Sequence, residues 1–467
     1  MDEKKQLGEL PIPQLLLRFS VPCVTGLLIG ALYNIVDQIF IGNSSLGYLG
    51  NAATGISFPM ICIANAFAWC VGDGAASYLS ICAGRQDSDS AHKCVGTGLT
   101  ATALISIVLC VVCLLFCTPL MVLFGASAAT LPLATAYFRI LALFFPVYLM
   151  LNVMNSMIRA DGSPTYAMAA MLSGAVLNMI LDPVCIFILD MGIQGAAIAT
   201  VLGQLVSFVV CVCYFRHPKS FTLTRESFRL QPVMLRHLVA MGGSTFIIQI
   251  SLVGMTLLSN RMLFHYGALS PYGSDIPLSV FSIMTKVYTI VCNVAVGIAL
   301  GGQPILGYNY GARKLARVRQ TYRLILFYAM GISLTATLVF VFYPQGIIGI
   351  FGTQNGLYQT FAVRSFRIFL CLCFVTSYIK ISSIFFQAIG KPLHAMVSSV
   401  TRDTLCFAGF TLVLCPLLER YRPGFGIYGI LLASPLSDLV AGLVIGVLTA
   451  RFFRQSGLAA QEKRECI

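Results

Sequence analysis

Long apolar runs separated by short polar stretches dominate the chain, and their lengths set the first expectation. Twelve runs are long enough to span a bilayer, near 15–41, 51–82, 94–117, 131–158, 165–189, 193–215, 237–265, 277–308, 318–343, 358–388, 394–417 and 426–453. At 1.5 Å rise per residue each can cross a hydrocarbon core about 30 Å thick. The expected fold class is an all-α polytopic membrane protein with twelve transmembrane helices.

The polar punctuation is asymmetric. Connections after the even-numbered runs hold Arg85, Arg159, Arg216, Lys219, Arg225, Arg229, Arg236, Arg313, Lys314, Arg317 and Lys391, and both termini are basic. The opposite connections are nearly bare apart from Arg420 and Arg422. By the positive-inside rule both termini should face the cytoplasm.

The longest polar stretch, RHPKSFTLTRESFRLQPVMLR from Arg216 to Arg236, divides the chain almost in half. Short patterns recur on either side of it. GDGAASYLSICAGR, DGSPTYAM and QGAAIAT in the first half answer to LGGQPILGYNYGAR, IGKPLHAM and YGILLAS in the second, with glycines at nearly constant separation. The expected domains are a six-helix bundle over 1–217, a cytoplasmic linker over 218–236 and a second six-helix bundle over 237–467. An even number of spans per half makes the repeat parallel, related by an axis along the membrane normal. Two such bundles facing across a cleft suit an alternating-access transporter, although fold alone does not establish function.

Composition agrees with a bilayer location. The chain is 58% hydrophobic and 10% charged, against about 25% charged in soluble domains. The formal charge of +13 is concentrated in the loops, so it reads as orientation and gives no reason to expect nucleic acid. The N-terminal MDEKKQLGELPIPQ has no short apolar core ending in small residues and is not expected to be cleaved as a signal peptide. The 17 cysteines are mostly single residues inside apolar runs, expected to act as soft hydrophobes and not as disulfides or metal ligands.

A few residues break the apolar pattern. Asp37 lies late in the first run. A lone Asp at such depth costs about 2.5–3.5 kcal/mol on insertion scales, which points to an ion or proton site. Asn178 and Asp182 are four apart, on one face of the fifth run. Pro183 beside them has no amide for the carbonyl of Met179. A carboxylate, an amide oxygen and a loosened backbone suit a hard cation or a proton. Tracing helix direction places Asp37, Asp182, Thr200 and Tyr137 in the outer half of the membrane, where they can converge. Each also has a structural reading: a hydrogen-bonded carboxylate that fixes packing, or a hydroxyl bonded back to its own helix.

The second half lacks this chemistry. Ser259 and Asn260 stand at the place of Asp37, and the place of Asp182 falls near Phe410. Coupling is therefore expected in the N-terminal half. Pro22 has no amide for the carbonyl of Arg18, so the first helix can bend there, as a switch or as a static kink. Lys286, inside the eighth run, is a substrate or gating candidate. Arg402 and Asp403 are expected near the cytoplasmic end, paired locally or with loops. Asp73, among glycines, is expected to serve packing or to anchor a loop. Arg139 and Asp438 are further intramembrane charges.

PIPQLLLRFSVP followed by LYNIVDQIFIG, then GAASYLSICAGR, IRADGSPTYAM and LNMILDP, resembles the multidrug and toxic compound extrusion (MATE) transporters, and within them the bacterial MepA-type pumps. The resemblance covers nearly the whole chain. It implies export of diverse cationic amphipathic compounds in exchange for protons or sodium ions, with no cofactor. It maps a cation site onto Asp37, Asn178, Asp182 and Thr200, with Tyr137 nearby, and a bending first helix onto Pro22. Some members couple through acids in helices seven and ten, and this chain has none there.

The expected function is thus a secondary active multidrug antiporter of the cell membrane: monomeric, in contact with small-molecule drugs and membrane lipid, and without nucleic acid. The alternative is a flippase for a lipid-linked saccharide. That function asks for a strongly basic cleft, for which only Lys286 and Arg139 are at hand. An enzyme is disfavoured: the five histidines are scattered, with no metal or nucleophile constellation. No metal is expected beyond possible Na+ at the coupling site.

Overall fold

The computed structural model describes residues 7–44, 47–273, 275–350 and 356–465; Lys4 and Lys5, counted above toward a basic N-terminus, lie outside them. The first six spans are α1 (Ile12–Asn43), α2 (Gly47–Arg85), α3 (Ser88–Leu115), α4 (Leu131–Leu143 with Phe145–Ala160), α5 (Pro164–Pro183) and α6 (Gly192–Tyr214). The second six are α7 (Pro232–Ala268), α8 (Asp275–Gly311), α9 (Leu315–Phe342), α10 (Gly356–Phe369 with Cys373–Ala388), α11 (Pro392–Ser399 through Gly409–Tyr421) and α12 (Ile427–Glu465). Ten of these are unbroken apolar spans, and the two bent pairs bring the number to twelve. The protein is therefore an all-α polytopic membrane protein, and no strand occurs among the described residues.

Several helices outrun their apolar runs. α7 begins at Pro232 and not 237, and α12 continues to Glu465. Polar turns outside hydrocarbon keep their backbone ladder, so hydropathy alone places such ends too early.

The repeat is visible in irregularities as well as in length. α4 bends by 56° and α10 by 44°, at corresponding places in the two halves. In α4 the break falls at Phe144, next to Pro146, whose ring cannot donate to the carbonyl of Ala142. The fifth helix of each half also contains a π-helical stretch, Val184–Ile188 after α5 and Val400–Ala408 within α11.

The halves pack by exchange: α1 lies against α8, and α2 against α7 and α8. One apolar core runs from Ile41 to Leu238, a second joins Leu16 of α1 to the second half, and a third lies within the second half. Between the halves, Gln303 Nε2 donates to Ser77 Oγ at 2.9 Å, and Ser20 Oγ donates to the carbonyl of Ile298 at 3.2 Å. The basic ends are further tied by Arg317, whose Nη2 donates to the carbonyl of Leu10 at 2.7 Å, and by Lys314, whose Nζ donates to that of Gly8 at 3.1 Å.

The linker between the halves is anchored to the first bundle. Asp161 accepts from Tyr214 Oη at 2.7 Å and from the amides of Lys219 and Ser220, both at 2.8 Å. Thr100 Oγ1 donates to the carbonyl of Phe228, the last residue of the short helical turn Arg225–Phe228.

Candidate functional site

Close packing of α5 on α6 builds the first part of the site. A Cβ on Gly203 would lie 2.6 Å from the carbonyl oxygen of Gly174 and 3.1 Å from Cβ of Asn178, so only glycine permits this approach. Asn178 is one turn on from Gly174, and Thr200 nearly one turn back from Gly203. Asn178 Nδ2 donates to Asp182 Oδ1 at 3.2 Å, with Thr200 Oγ1 at 3.5 Å. The amide nitrogen thus faces the carboxylate and the hydroxyl, and the amide oxygen is left for another partner.

Pro183 follows Asp182, and the helix passes at once into the π-helical turn Val184–Ile188, closed by Leu189 N donating to the carbonyl of Val184 at 2.9 Å. The expected loosening beside Asp182 therefore takes the form of a wider turn. Such turns recur at functional sites.

α1 brings the second carboxylate. Asp37 is 8% exposed and Asp182 fully buried, and the two carboxyls interact electrostatically. Tyr137 of α4 is buried within electrostatic reach of both. Three oxygens in this cluster, Asp37 Oδ1, Asn178 Oδ1 and Asp182 Oδ2, are buried without a hydrogen-bond donor. All are hard oxygen ligands, suited to a proton or a small cation.

The structure brings Asp37, Asn178, Asp182, Thr200 and Tyr137 together in the first half. Tyr33 joins them and escaped the sequence reading: it shares the electrostatic environment of Asp37, Asp182 and Tyr137. Its signal was the four-residue spacing from Asp37, which puts both on one face of α1. Tyr148 and Asn65, joined by a 2.7 Å hydrogen bond, extend the polar lining and had no such pointer.

Pro22 and Lys286 stand apart from the cluster. Pro22 is buried within an uninterrupted α1. Lys286 is exposed on α8, in the other half.

Asp73, Arg402, Asp403 and Asp438 fall into two internal networks. Asp73 accepts from Ser156 Oγ at 3.2 Å and pairs with Arg159 at 3.7 Å, so Arg159, expected in a loop, reaches back into the bundle. Arg402 pairs locally with Asp403, through Nη1 to Oδ1, which is the first of the two expected arrangements, and not with a loop. They lie within the π-helical stretch of α11, where Arg402 Nε donates to Asp438 Oδ1 of α12 at 2.7 Å and Nη2 to Tyr288 Oη of α8 at 3.2 Å. Thr376 Oγ1 donates to the other oxygen of Asp438 at 2.8 Å. Both carboxylate oxygens of Asp438 are thus satisfied, unlike those of the first-half cluster.

No group of three or more His, Cys, Asp or Glu side chains is placed to hold a metal among the described residues.

Comparison with known proteins bears on the whole chain. The MatE family model matches residues 22–184 and 245–416. The chain is 23% identical over 450 residues to the multidrug export protein MepA of Staphylococcus aureus, covering 94% of this chain and 95% of that one. Its fold is similar to that of an outward-facing multidrug resistance MATE family transporter of the MOP superfamily, with TM-score 0.87, 21% identity and coverage of 97% and 98%. A MOP superfamily transporter from Pyrococcus furiosus matches with TM-score 0.87 at 22% identity, again over 97% and 98%.

Proposed function

Because the chain belongs to the MatE family, we propose that it is a secondary active multidrug exporter of the cell membrane that exchanges cationic amphipathic compounds for H+ or Na+. The carrying observation is the first-half cluster, where two buried carboxylates and an amide each keep one oxygen without a donor. Leaving such oxygens unmatched costs about 1–3 kcal/mol each, and more when charged. A proton or a cation removes that cost, and its uptake makes the cluster's charge depend on conformation.

Coupling requires the ion to bind the outward- and inward-facing states unequally. The cluster supplies the inequality if its access alternates. Orientation follows the basic loops: the tied ends carrying Lys314 and Arg317 face the cytoplasm, and Asp37 and Asp182 lie in the outer half. Ions then enter from outside as drug leaves, and the bundles over 1–217 and 237–467 rock about the contacts of α1 and α2 with α7 and α8.

The test is transport in proteoliposomes containing the full chain, with proton and sodium gradients imposed separately and ethidium as cargo. Ethidium movement against its gradient on one ion alone supports the reading and identifies the ion. Movement on neither, for ethidium and a panel of other organic cations, overturns it.

A further inference from the structure

A groove of about 740 Å³ opens between α9, α10 and α12, away from the carboxylate cluster. Three guanidinium side chains line it: Arg319 and Arg323 of α9, and Arg454 of α12. Arg319 and Arg323 are four apart and so share a helical face. Among the described residues no carboxylate lines it, so the groove is cationic.

The floor is rigid and partly aromatic. Tyr322 is buried, shares a 2.7 Å hydrogen bond with Ser382 and packs on Phe385 with ring centroids 4.3 Å apart. Arg319 lies over the ring of Phe453 at 5.9 Å, at the rim. Tyr378 and Thr449 also line the groove.

Depth identifies the occupant. Arg319 and Arg323 lie in the first nine residues of α9, next to the basic connection holding Arg313 and Lys314, and Arg454 is at the end of the apolar part of α12. That is headgroup level. One to three turns further in, the surface becomes apolar, with Phe327, Val447 and Leu443 exposed along the same helices. A cationic rim over an apolar wall matches a molecule with a phosphate at one end and acyl chains at the other.

We propose that this groove is a binding site for an anionic glycerophospholipid, whose phosphate is held by Arg319, Arg323 and Arg454 and whose chains follow α9 and α12. Guanidinium groups bind phosphate oxygens in a bidentate fork, and basic pockets between helices at the cytoplasmic side suit anionic headgroups. A zwitterionic lipid would bring its ammonium into the same positive field.

The test uses the full chain purified in dodecyl maltoside and titrated with dioleoyl phosphatidylglycerol, dioleoyl phosphatidylcholine or inorganic phosphate. Retained lipid is read by native mass spectrometry, and stabilisation by the thermal midpoint. Wild type should retain phosphatidylglycerol at least tenfold better than phosphatidylcholine, and inorganic phosphate at the same concentration should not shift the midpoint. The combined Arg319→Gln, Arg323→Gln, Arg454→Gln variant should lose that preference. Gly446→Leu keeps all three charges but fills the groove beside Tyr378, where a Cβ meets only the hydroxyl at 3.8 Å. It should lose phosphatidylglycerol as well, and it decides alone if the triple variant does not fold. Equal retention of both lipids by wild type, an equal shift with inorganic phosphate, or preference surviving in either variant would overturn the proposal.

Discussion

Gly84 of α2 and Gly311 of α8 are packed reciprocally across the interface between the two halves. A Cβ on Gly84 would run into the carbonyl of Tyr308, and a Cβ on Gly311 into that of Ile81. Ile81 and Tyr308 stand at the same separation as the glycines, so the contact obeys the internal repeat. The basic ends of the bundles are closed here by backbone on backbone.

Gly84→Val should therefore wedge this end open. Forcing a side chain into such a contact costs about 1–3 kcal/mol, or roughly a tenfold change in the population of the closed form for each 1.4 kcal/mol. Cys82, buried two residues away, is the reporter. Peptide-resolved alkylation from the basic side should rise severalfold in the variant while the protein stays folded. Unchanged labelling would mean that the glycine contact is not the seal.

The repeat and the site were legible to different depths. The matched positions of Gly84 and Gly311 announced the repeat because a repeat is legible along the sequence itself, and the four-residue step from Asn178 to Asp182 announced a shared face because it is a property of one helix period. The approach of Gly203 to Gly174, which sets Thr200 beside Asn178, depends on two helices and has no periodic signature. The pairing of Arg402 with Asp438 was hidden for the same reason. The local pair of Arg402 with Asp403 was legible because the two are neighbours in sequence, whereas Asp438 stands on another helix.

Asp37→Asn and Asp182→Asn test the coupling site separately. Each keeps the shape of the side chain and removes its charge. Each variant should reach the membrane at near wild-type level and lose gradient-driven efflux by about tenfold or more, the effect of some 1.4 kcal/mol at the transport barrier. Passive ethidium binding, measured by fluorescence without a gradient, should stay within a factor of a few. Loss of folded protein in place of loss of coupling would return the carboxylates to a packing role.

Arg402→Gln tests the second-half network. Removing one partner of a buried pair leaves Asp438 uncompensated, at a cost of about 3–5 kcal/mol. The thermal midpoint in detergent should fall well below wild type, whereas Lys286→Gln, at an exposed position, should leave it in place. A midpoint unchanged by Arg402→Gln would show that the network does not hold α8, α11 and α12 together.

Asp87 caps α3 at its exposed end, where its carboxylate accepts from the amide of Ser90 at 3.0 Å. The side-chain and backbone hydrogen bonds of Ser90 hold the Asp87 carboxyl below the usual carboxylate range. A lowered folded value means that the stabilisation is present above the unfolded value of about 3.9 and lost as pH falls through the folded one. Asp87→Ala should cost about 0.5–1 kcal/mol at neutral pH. Thermal midpoints of variant and wild type should converge at the acid end of a pH series, and parallel curves throughout would remove the charge from the cap.

Pro22 lies where α1 crosses α8, between two close approaches. A Cβ on Gly301 would press on Ser20 at 2.5 Å, and one on Gly297 on Val24 at 2.7 Å. Ser20 also donates to the carbonyl of Ile298 across the same crossing. Any bending of α1 about Pro22 therefore alters the grip of one half on the other, and moves Asp37, four turns further along, relative to Asp182. An alanine there brings the amide that proline lacks and removes the ring clash, which together favour an unbent helix by up to about 3 kcal/mol. If bending is a step of the cycle, Pro22→Ala should slow turnover about tenfold, the effect of some 1.4 kcal/mol on that step. Substrate affinity, set by the cleft and not by the hinge, should change less than threefold. Paired measurement of ethidium binding and initial transport rate separates the two, and an unchanged rate would make Pro22 a static feature of α1.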